Sequence, residues 1–367
     1  MLVTEADLGI CVKDMESTLN SLTVNSLTIK NLNKNGSSIR SLRIFDERTR
    51  LAYALGALLY TPPYNPELAN KIVTSSLPGL TALAFCLEDA ILDEALPQAE
   101  LELCRTLAAI KTKITPQTNL PMLFVRVRTP QHLQHIQQLL GDFQELLCGY
   151  ILPKFDLSNS AAYIDLIRQS NVGRHKPIYF MPILESQMLA ELGSRRPALQ
   201  QLKDELDRVQ KYILNVRVGC NDFCSLFGLR RGVHQNIYQI SVIRDILADI
   251  VNIFSGEYVL SGPVWEYFGE DLQGAWADGL RQELALDRLN GFIGKTAVHP
   301  AQLPIIYDSL KVSRADYEDA LGLLDWLPST LGVAKSADGS RMNELKCHTN
   351  WALRTAILAE IYGLVED

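Results

Sequence analysis

The chain has 367 residues, 47% of them hydrophobic and 21% charged, which is enough apolar material for one large core or two ordinary ones and too much for a disordered polymer. Its net charge of −7 is spread without acidic or basic blocks, so composition excludes the electrostatic footprint of a nucleic-acid or anionic-membrane partner. The seven cysteines are odd in number and scattered among apolar neighbours, a pattern of reduced thiols and not of a disulfide framework. The first sixteen residues carry acids where a secretory leader needs bases, and no stretch offers the roughly 18 uncharged apolar residues of a membrane span. The expectation is a cytoplasmic protein.

In chain order, residues 17–41 are rich in Ser, Asn and Thr with isolated aliphatics, too polar for a core strand and too irregular for an amphipathic helix. Residues 1–45 are therefore expected to form a polar extension outside the main fold. A repeated alternation follows, in which a short apolar, β-branched run gives way to a polar or Gly/Pro break and then to a stretch of helical period. The runs are 57–62, 82–88, 122–127, 150–155, 177–183, 214–220, 257–263 and 294–299. Between them, segments such as 161–169 and 236–254 repeat apolar residues every three and four positions, as helices do.

Near-continuous apolar strands alternating with helices imply a parallel sheet covered by helices, and eight such repeats fit the size of a (β/α)₈ TIM barrel, of α/β class, over residues 46–305. A doubly wound open sheet would open with a glycine-rich turn, and "YTPPYNPE" after the first run has no glycine. Residues 306–367 contain "YEDALGLLDWL" and "WALRTAILAEIYGLV", which predict a C-terminal helical extension packed on its own barrel or on a neighbouring subunit.

The carboxyl ends of barrel strands converge on one mouth, where chemistry is sited. The sequence places Glu88 and Asp89 after the second strand, Arg126 and Arg128 in and after the third, Lys154 and Asp156 after the fourth, Glu185 after the fifth, Asn221 and Asp222 after the sixth, and His299 after the eighth. Asp89, Asp156 and Asp222 suit helix caps equally well. Arg126, inside "LFVRVRT", must face either the mouth or the helix layer, and a charge buried in either place needs an anionic partner. Glu185 and Asp222 end neighbouring strands about 4.8 Å apart, so their oxygens can share one hard cation and leave its other positions to water and substrate. Elsewhere "CNDFC" (220–224) lacks a second pair and is expected to be core. "HLQH" (132–135) offers two histidines on a helix without a nearby acid and is expected to be a solvated face, and "GLRRG" (228–232) reads as two surface arginines.

The ordered set "FCLEDAI", "LFVRVRT", "ILPKFD", "PILES", "VGCNDF" and "GFIGKTAVHPAQLPII" resembles the citrate lyase β-subunit and HpcH/HpaI aldolase family of Mg²⁺-dependent carbon–carbon lyases, over residues 55–310. The polar N-terminal stretch makes it most similar to the C–C bond lyase subgroup encoded beside tellurite-resistance and stress genes. The resemblance implies a Mg²⁺ (or Mn²⁺) on Glu185 and Asp222, a substrate carboxylate on Arg126, and Glu88 and Asp89 beside the metal, holding water and moving a proton. It further implies contacts to the substrate from Lys71 and Pro300, a coenzyme A thioester as part of the substrate, and a homo-oligomer, whether dimer, trimer or hexamer. Some positions depart from the family pattern. Gly56 and Ala57 replace an Arg-Ser pair, Asn65 stands where an arginine holds coenzyme A, and Ser261-Gly262-Pro263 replaces an acid.

The chemistry expected is cleavage or formation of a bond next to a metal-stabilised enolate on a small 2-oxo or hydroxy acid. Lys154 and His299 are secondary candidates at the rim. The alternatives are a malate-synthase-like or thioesterase activity on an acyl-CoA, against which Asn65 speaks, and a non-catalytic barrel scaffold, against which five retained rim charges speak.

Overall fold

The structure, a computed structural model, describes residues 48–326, 331–336 and 339–365; the expected extension over 1–45 lies outside the described residues. These residues form two compact units, one ending at Leu310 and the other beginning at Lys311. The helix Leu303–Ser309 thus belongs to the first unit, and the division falls a few residues beyond the expected 305.

The first unit is built on eight strands: β1 (Ala57–Thr61), β2 (Ala82–Cys86), β3 (Met122–Arg126), β4 (Gly149–Leu152), β5 (Tyr179–Leu184), β6 (Val216–Val218), β7 (Leu260–Gly262) and β8 (Phe292–Ala297). Each pairs in parallel with the next and β8 returns to β1, closing the barrel. All eight expected strands are present. Their sequences are apolar throughout because both faces are covered, the inner by the barrel core and the outer by helices; every residue of β2 through β5 is buried. At the closing seam the Lys295 amide donates to the Gly56 carbonyl at 2.9 Å. A Cβ at Gly294 would stand 2.3 Å from that same oxygen, and the residue's φ of +71° is left-handed, so the seam requires glycine.

β6 and β7 are three residues long, shorter than expected, because Gly219 already begins the helix Cys220–Leu226 and Pro263 has no amide to continue a ladder. The stretch 236–254 divides as well. Asn236 and Gln239 cap one another's backbone around a 3₁₀ turn at Ile237–Gln239, Ile240 is extended, and the helix proper runs Ser241–Phe254. That helix buries Ile243, Ile246, Leu247, Ile250 and Phe254, the three-and-four spacing of one apolar face.

In the second unit the helices Arg314–Leu324 and Leu345–Tyr362 share a small core of Ala320, Leu323 and Ala352, beside an antiparallel pair β9 (Val333–Lys335) and β10 (Met342–Glu344). Ser313 caps the first helix by accepting the Asp316 amide at 3.1 Å, and Arg341 ties Asp316 and Asp319 at 2.8 and 2.5 Å. No helix of the described residues is long and apolar enough to cross a membrane.

Candidate active site

A cavity of about 380 Å³ opens at the carboxyl ends of the strands, with Tyr60, Arg126, Glu185, Arg217, Asp222 and Thr296 among its walls. Arg126 ends β3 opposite Cys86 on β2 and Ile151 on β4, so the pleat turns its side chain into the barrel. It is 5% exposed and meets three carboxylates: Glu88 at 2.7 Å, Asp89 at 2.8 Å and Glu185 at 3.4 Å. The buried charge found by sequence therefore has anionic partners, three of the carboxylates at the strand ends. Burial would lower the guanidinium's affinity for a proton, but the surrounding anionic groups outweigh it and hold the pKa well above the ordinary value.

Glu185 is buried, and its Oε1 accepts the Lys154 amide at 2.9 Å. Lys154 donates this bond from a left-handed φ of +48°, uncommon for a residue with a side chain, and its ammonium reaches Glu88 at 2.7 Å. Asp222 lies in the first turn of Cys220–Leu226, makes no cap bond there, and comes within hydrogen-bonding reach of Glu185. The close approach depends on Gly219: a Cβ there would stand 2.0 Å from Glu185 Oε2. Burial pushes the Glu185 carboxyl up to about 8, with Asp222 and Glu88 adding to the rise. Asp222 is raised as well, first by burial and then by Asp89. Glu88 and Asp89 separate: burial raises Glu88 despite Arg126 and Lys154, whereas at the half-exposed Asp89 burial is outweighed and the carboxyl stays below its usual range.

The structure thus brings Glu88, Asp89, Arg126, Glu185 and Asp222 together and adds Lys154. It does not bring in Lys71, which is exposed on the helix Leu68–Val73, or Pro300, which is exposed at the start of the 3₁₀ turn Pro300–Gln302; neither lines the cavity. His299 accepts the Ala301 amide at 3.2 Å as a helix cap, and its ring stacks on Phe268 at 4.5 Å. Asp156 accepts the Ser158 amide at 2.8 Å within its own turn, and Arg128 donates to the carbonyls of Leu87 and Ile91 at 2.7 and 2.5 Å.

Two sequence expectations are corrected. The histidines of "HLQH" do have a nearby acid, because the helix Leu96–Lys113 presents Glu100 to both His132 (3.0 Å) and His135 (3.1 Å). Of the two arginines in "GLRRG", Arg231 is buried and ion-paired with Glu283 at 3.1 Å. Cys220 and Cys224 of "CNDFC" are buried, as its reading as core expects.

Sequence reasoning passed over Arg217, in β6. It is 2% exposed, faces the cavity, and donates to Thr296 Oγ1 at 2.7 Å and Asn215 Oδ1 at 3.3 Å. The signal was present: "NVRVG" sets an arginine in a buried strand just as "LFVRV" does.

A family model, the C–C bond lyases of the TIM-barrel fold, matches residues 49–364. The chain belongs to that family. This lyase has the fold of protein CitE from Mycobacterium tuberculosis, solved in complex with magnesium, acetoacetate and coenzyme A: TM-score 0.53 at 18% identity, covering 83% of this chain and 99% of that one. It is similar in the same way to RipC from Yersinia pestis, with TM-score 0.50, 17% identity and coverage of 72% and 99%. A comparison with curated proteins gives no match.

The residues of the lyase that could hold a dication are the carboxylates of Glu185 and Asp222. Glu185 and Asp222 line one cavity from neighbouring strand ends, each holds its proton more tightly than usual, and Gly219 leaves the space that Glu185 occupies. Acids crowded in this way are relieved by a positive charge between them, and hard oxygen ligands of this number leave coordination sites for water and substrate.

Proposed function

We propose that the lyase cleaves or forms a carbon–carbon bond in a small 2-oxo or hydroxy acid, or in its coenzyme A thioester, with Mg²⁺ (or Mn²⁺) held by Glu185 and Asp222. The observation that carries this reading is the convergence of those two carboxylates with Arg126 in the cavity of a C–C bond lyase. The ion would supply Lewis-acid stabilisation of the charge that develops on the enolate oxygen.

Arg126 directs the substrate carboxylate with its planar fork, releasing the half-exposed Asp89 to make room. Glu88 and Asp89, adjacent in sequence and held apart in proton affinity, divide the work: Glu88 carries the proton and Asp89 remains ionised to orient water. Lys154 keeps Glu88 in place from one side and, through its amide, Glu185 from the other. On the open rim, Lys71 is the cation left for a thioester's phosphates, and Asn65, which accepts the Glu67 amide at 3.0 Å, supplies no second one. Free acids are therefore favoured over thioesters. In this reading the protein works in the cytoplasm as a homo-oligomer.

Calorimetric titration with MgCl₂ tests the seat, since binding should vanish in Glu185→Gln and Asp222→Asn; undiminished binding in both removes the metal from the reading. Incubation of the Mg²⁺-loaded protein with 2-oxo acids, hydroxy acids and hydroxyacyl thioesters, followed by mass spectrometry, should show two carbon fragments. Release of free acid and thiol without carbon–carbon cleavage would replace the lyase step by hydrolysis.

A further inference from the structure

The cavity holds two buried guanidiniums in unequal positions. Arg126 is answered by three carboxylates, whereas Arg217 has no carboxylate within ion-pair distance among the described residues. Its partners are neutral: the Thr296 hydroxyl, the Asn215 amide oxygen and the neighbouring Tyr60 phenol, while Nε has no hydrogen-bond partner at all. Tyr60 also turns its ring to Arg126, whose guanidinium lies 5.5 Å from the ring centre, so the two cations flank one aromatic wall. A guanidinium 2% exposed without a counter-ion is unfavourable, and the fold tolerates it where a ligand supplies the missing anion. Burial and the positive Arg126 both press on its charge, in keeping with a site that lacks its anion.

We propose that Arg217, with Tyr60 and Thr296, seats a second carboxylate of the substrate, so that the acid handled is a dicarboxylate bound at both ends. This rests on the proposed function, in which the first carboxylate lies at Arg126 and the dication. Arg217 lines the same cavity of about 380 Å³, a volume at the small-molecule end of the usual range, and a planar guanidinium fork matches a carboxylate. Thr296, on β8 and paired with Leu58 on β1, holds the guanidinium from two strands along the barrel.

The test is calorimetry on the Mg²⁺-loaded protein with oxaloacetate and 2-oxoglutarate against pyruvate and 2-oxobutyrate. The diacids should bind about tenfold to a hundredfold tighter, the worth of one charge-assisted pair. In Arg217→Gln that advantage should shrink to about threefold or less while the monoacids keep their affinity. Thr296→Val, which leaves the charge in place, should cost the diacids alone about threefold to tenfold and serves if Arg217→Gln does not fold. Equal affinity for both classes in the unaltered protein overturns the proposal, as does equal loss of both in Arg217→Gln, which would make Arg217 part of a single anion site. Mg²⁺-dependent monoacid binding without a diacid advantage sinks this inference alone. Absence of any Mg²⁺-dependent acid binding sinks the proposed function with it.

Discussion

Two clusters of buried charge lie within the barrel unit, and they are built differently. Behind β8, Lys295 is fully buried and bonds Glu283 at 3.0 Å, Asp287 at 2.7 Å and the Pro263 carbonyl at 2.6 Å. Arg231 closes on Glu283 from the other side, and the Tyr238 hydroxyl donates to Asp287 at 2.7 Å. Two cations face two acids, and a Cβ at Gly262 would stand 2.6 Å from Asp287, so the cluster is tightly packed against β7. In the mouth, four carboxylates crowd Arg126 and Lys154, Asp89 is half-exposed, and Arg217 is without an acid among the described residues. A charge network satisfied within itself braces a fold; one with excess acid on one side and an unanswered cation on the other is completed by what binds.

The comparison breaks most sharply at Lys295. Lys295→Met strands the buried Asp287, leaves Glu283 to Arg231, and should cost about 3–5 kcal/mol of stability in urea unfolding, with the same loss in the presence and absence of Mg²⁺. A loss below about 1 kcal/mol would mean that water reaches the cluster and that it is not closed. Arg126→Lys keeps the mouth's charge but not the fork; it should weaken Mg²⁺-dependent binding of a 2-oxo acid about tenfold to a hundredfold while Mg²⁺ affinity itself changes little.

The mouth should also respond to pH. The Glu185 carboxyl, raised to about 8 in the metal-free protein, holds a proton below that value, and a dication must displace it. Mg²⁺ affinity measured by calorimetry should therefore rise with pH, about tenfold per unit below 8, and level off above it; a flat profile from pH 6 to 8 would show an ionised pair. By linkage, a raised acid stabilises the metal-free fold below its unfolded pKa, and that contribution is lost as pH rises through about 8, the window in which Mg²⁺ should become more stabilising. The smallest effect is expected at Arg230, exposed beside the buried Arg231. Arg230→Ala should change stability by no more than about 0.5 kcal/mol in the same unfolding assay.

Much of this was legible in the chain. The eight strands stand where apolar runs alternate with helical period, because a strand covered on both faces has no reason to alternate. Glu88, Asp89, Arg126, Glu185 and Asp222 were legible as neighbours because carboxyl ends of barrel strands converge whatever the sequence between them. The shortening of β6 and β7 was not, since it depends on where Gly219 and Pro263 fall relative to the ladder. From the motif "GFIGKTAVHPAQ" the sequence offered His299 as a rim candidate and, by resemblance, Pro300 as a substrate contact. In the structure the motif is bracing: Lys295 enters the closed cluster, and the fully buried Gln302 donates to the carbonyls of Trp265 and Tyr267 at 2.8 and 2.9 Å.

By itself the sequence determined the barrel and which residues end its strands, since both follow from local period and from the rule that parallel strands bury both faces. Only the tertiary structure decided which charges find partners. Arg230 and Arg231 are adjacent in the chain, one paired at the surface and the other in the interior, Glu100 meets two histidines more than thirty positions away, and Arg217 has no acid among the described residues beside an Arg126 that has three. Pairing is a matter of distances between side chains from separate elements, and in a low-dielectric interior those distances decide whether a charge braces the protein or binds something.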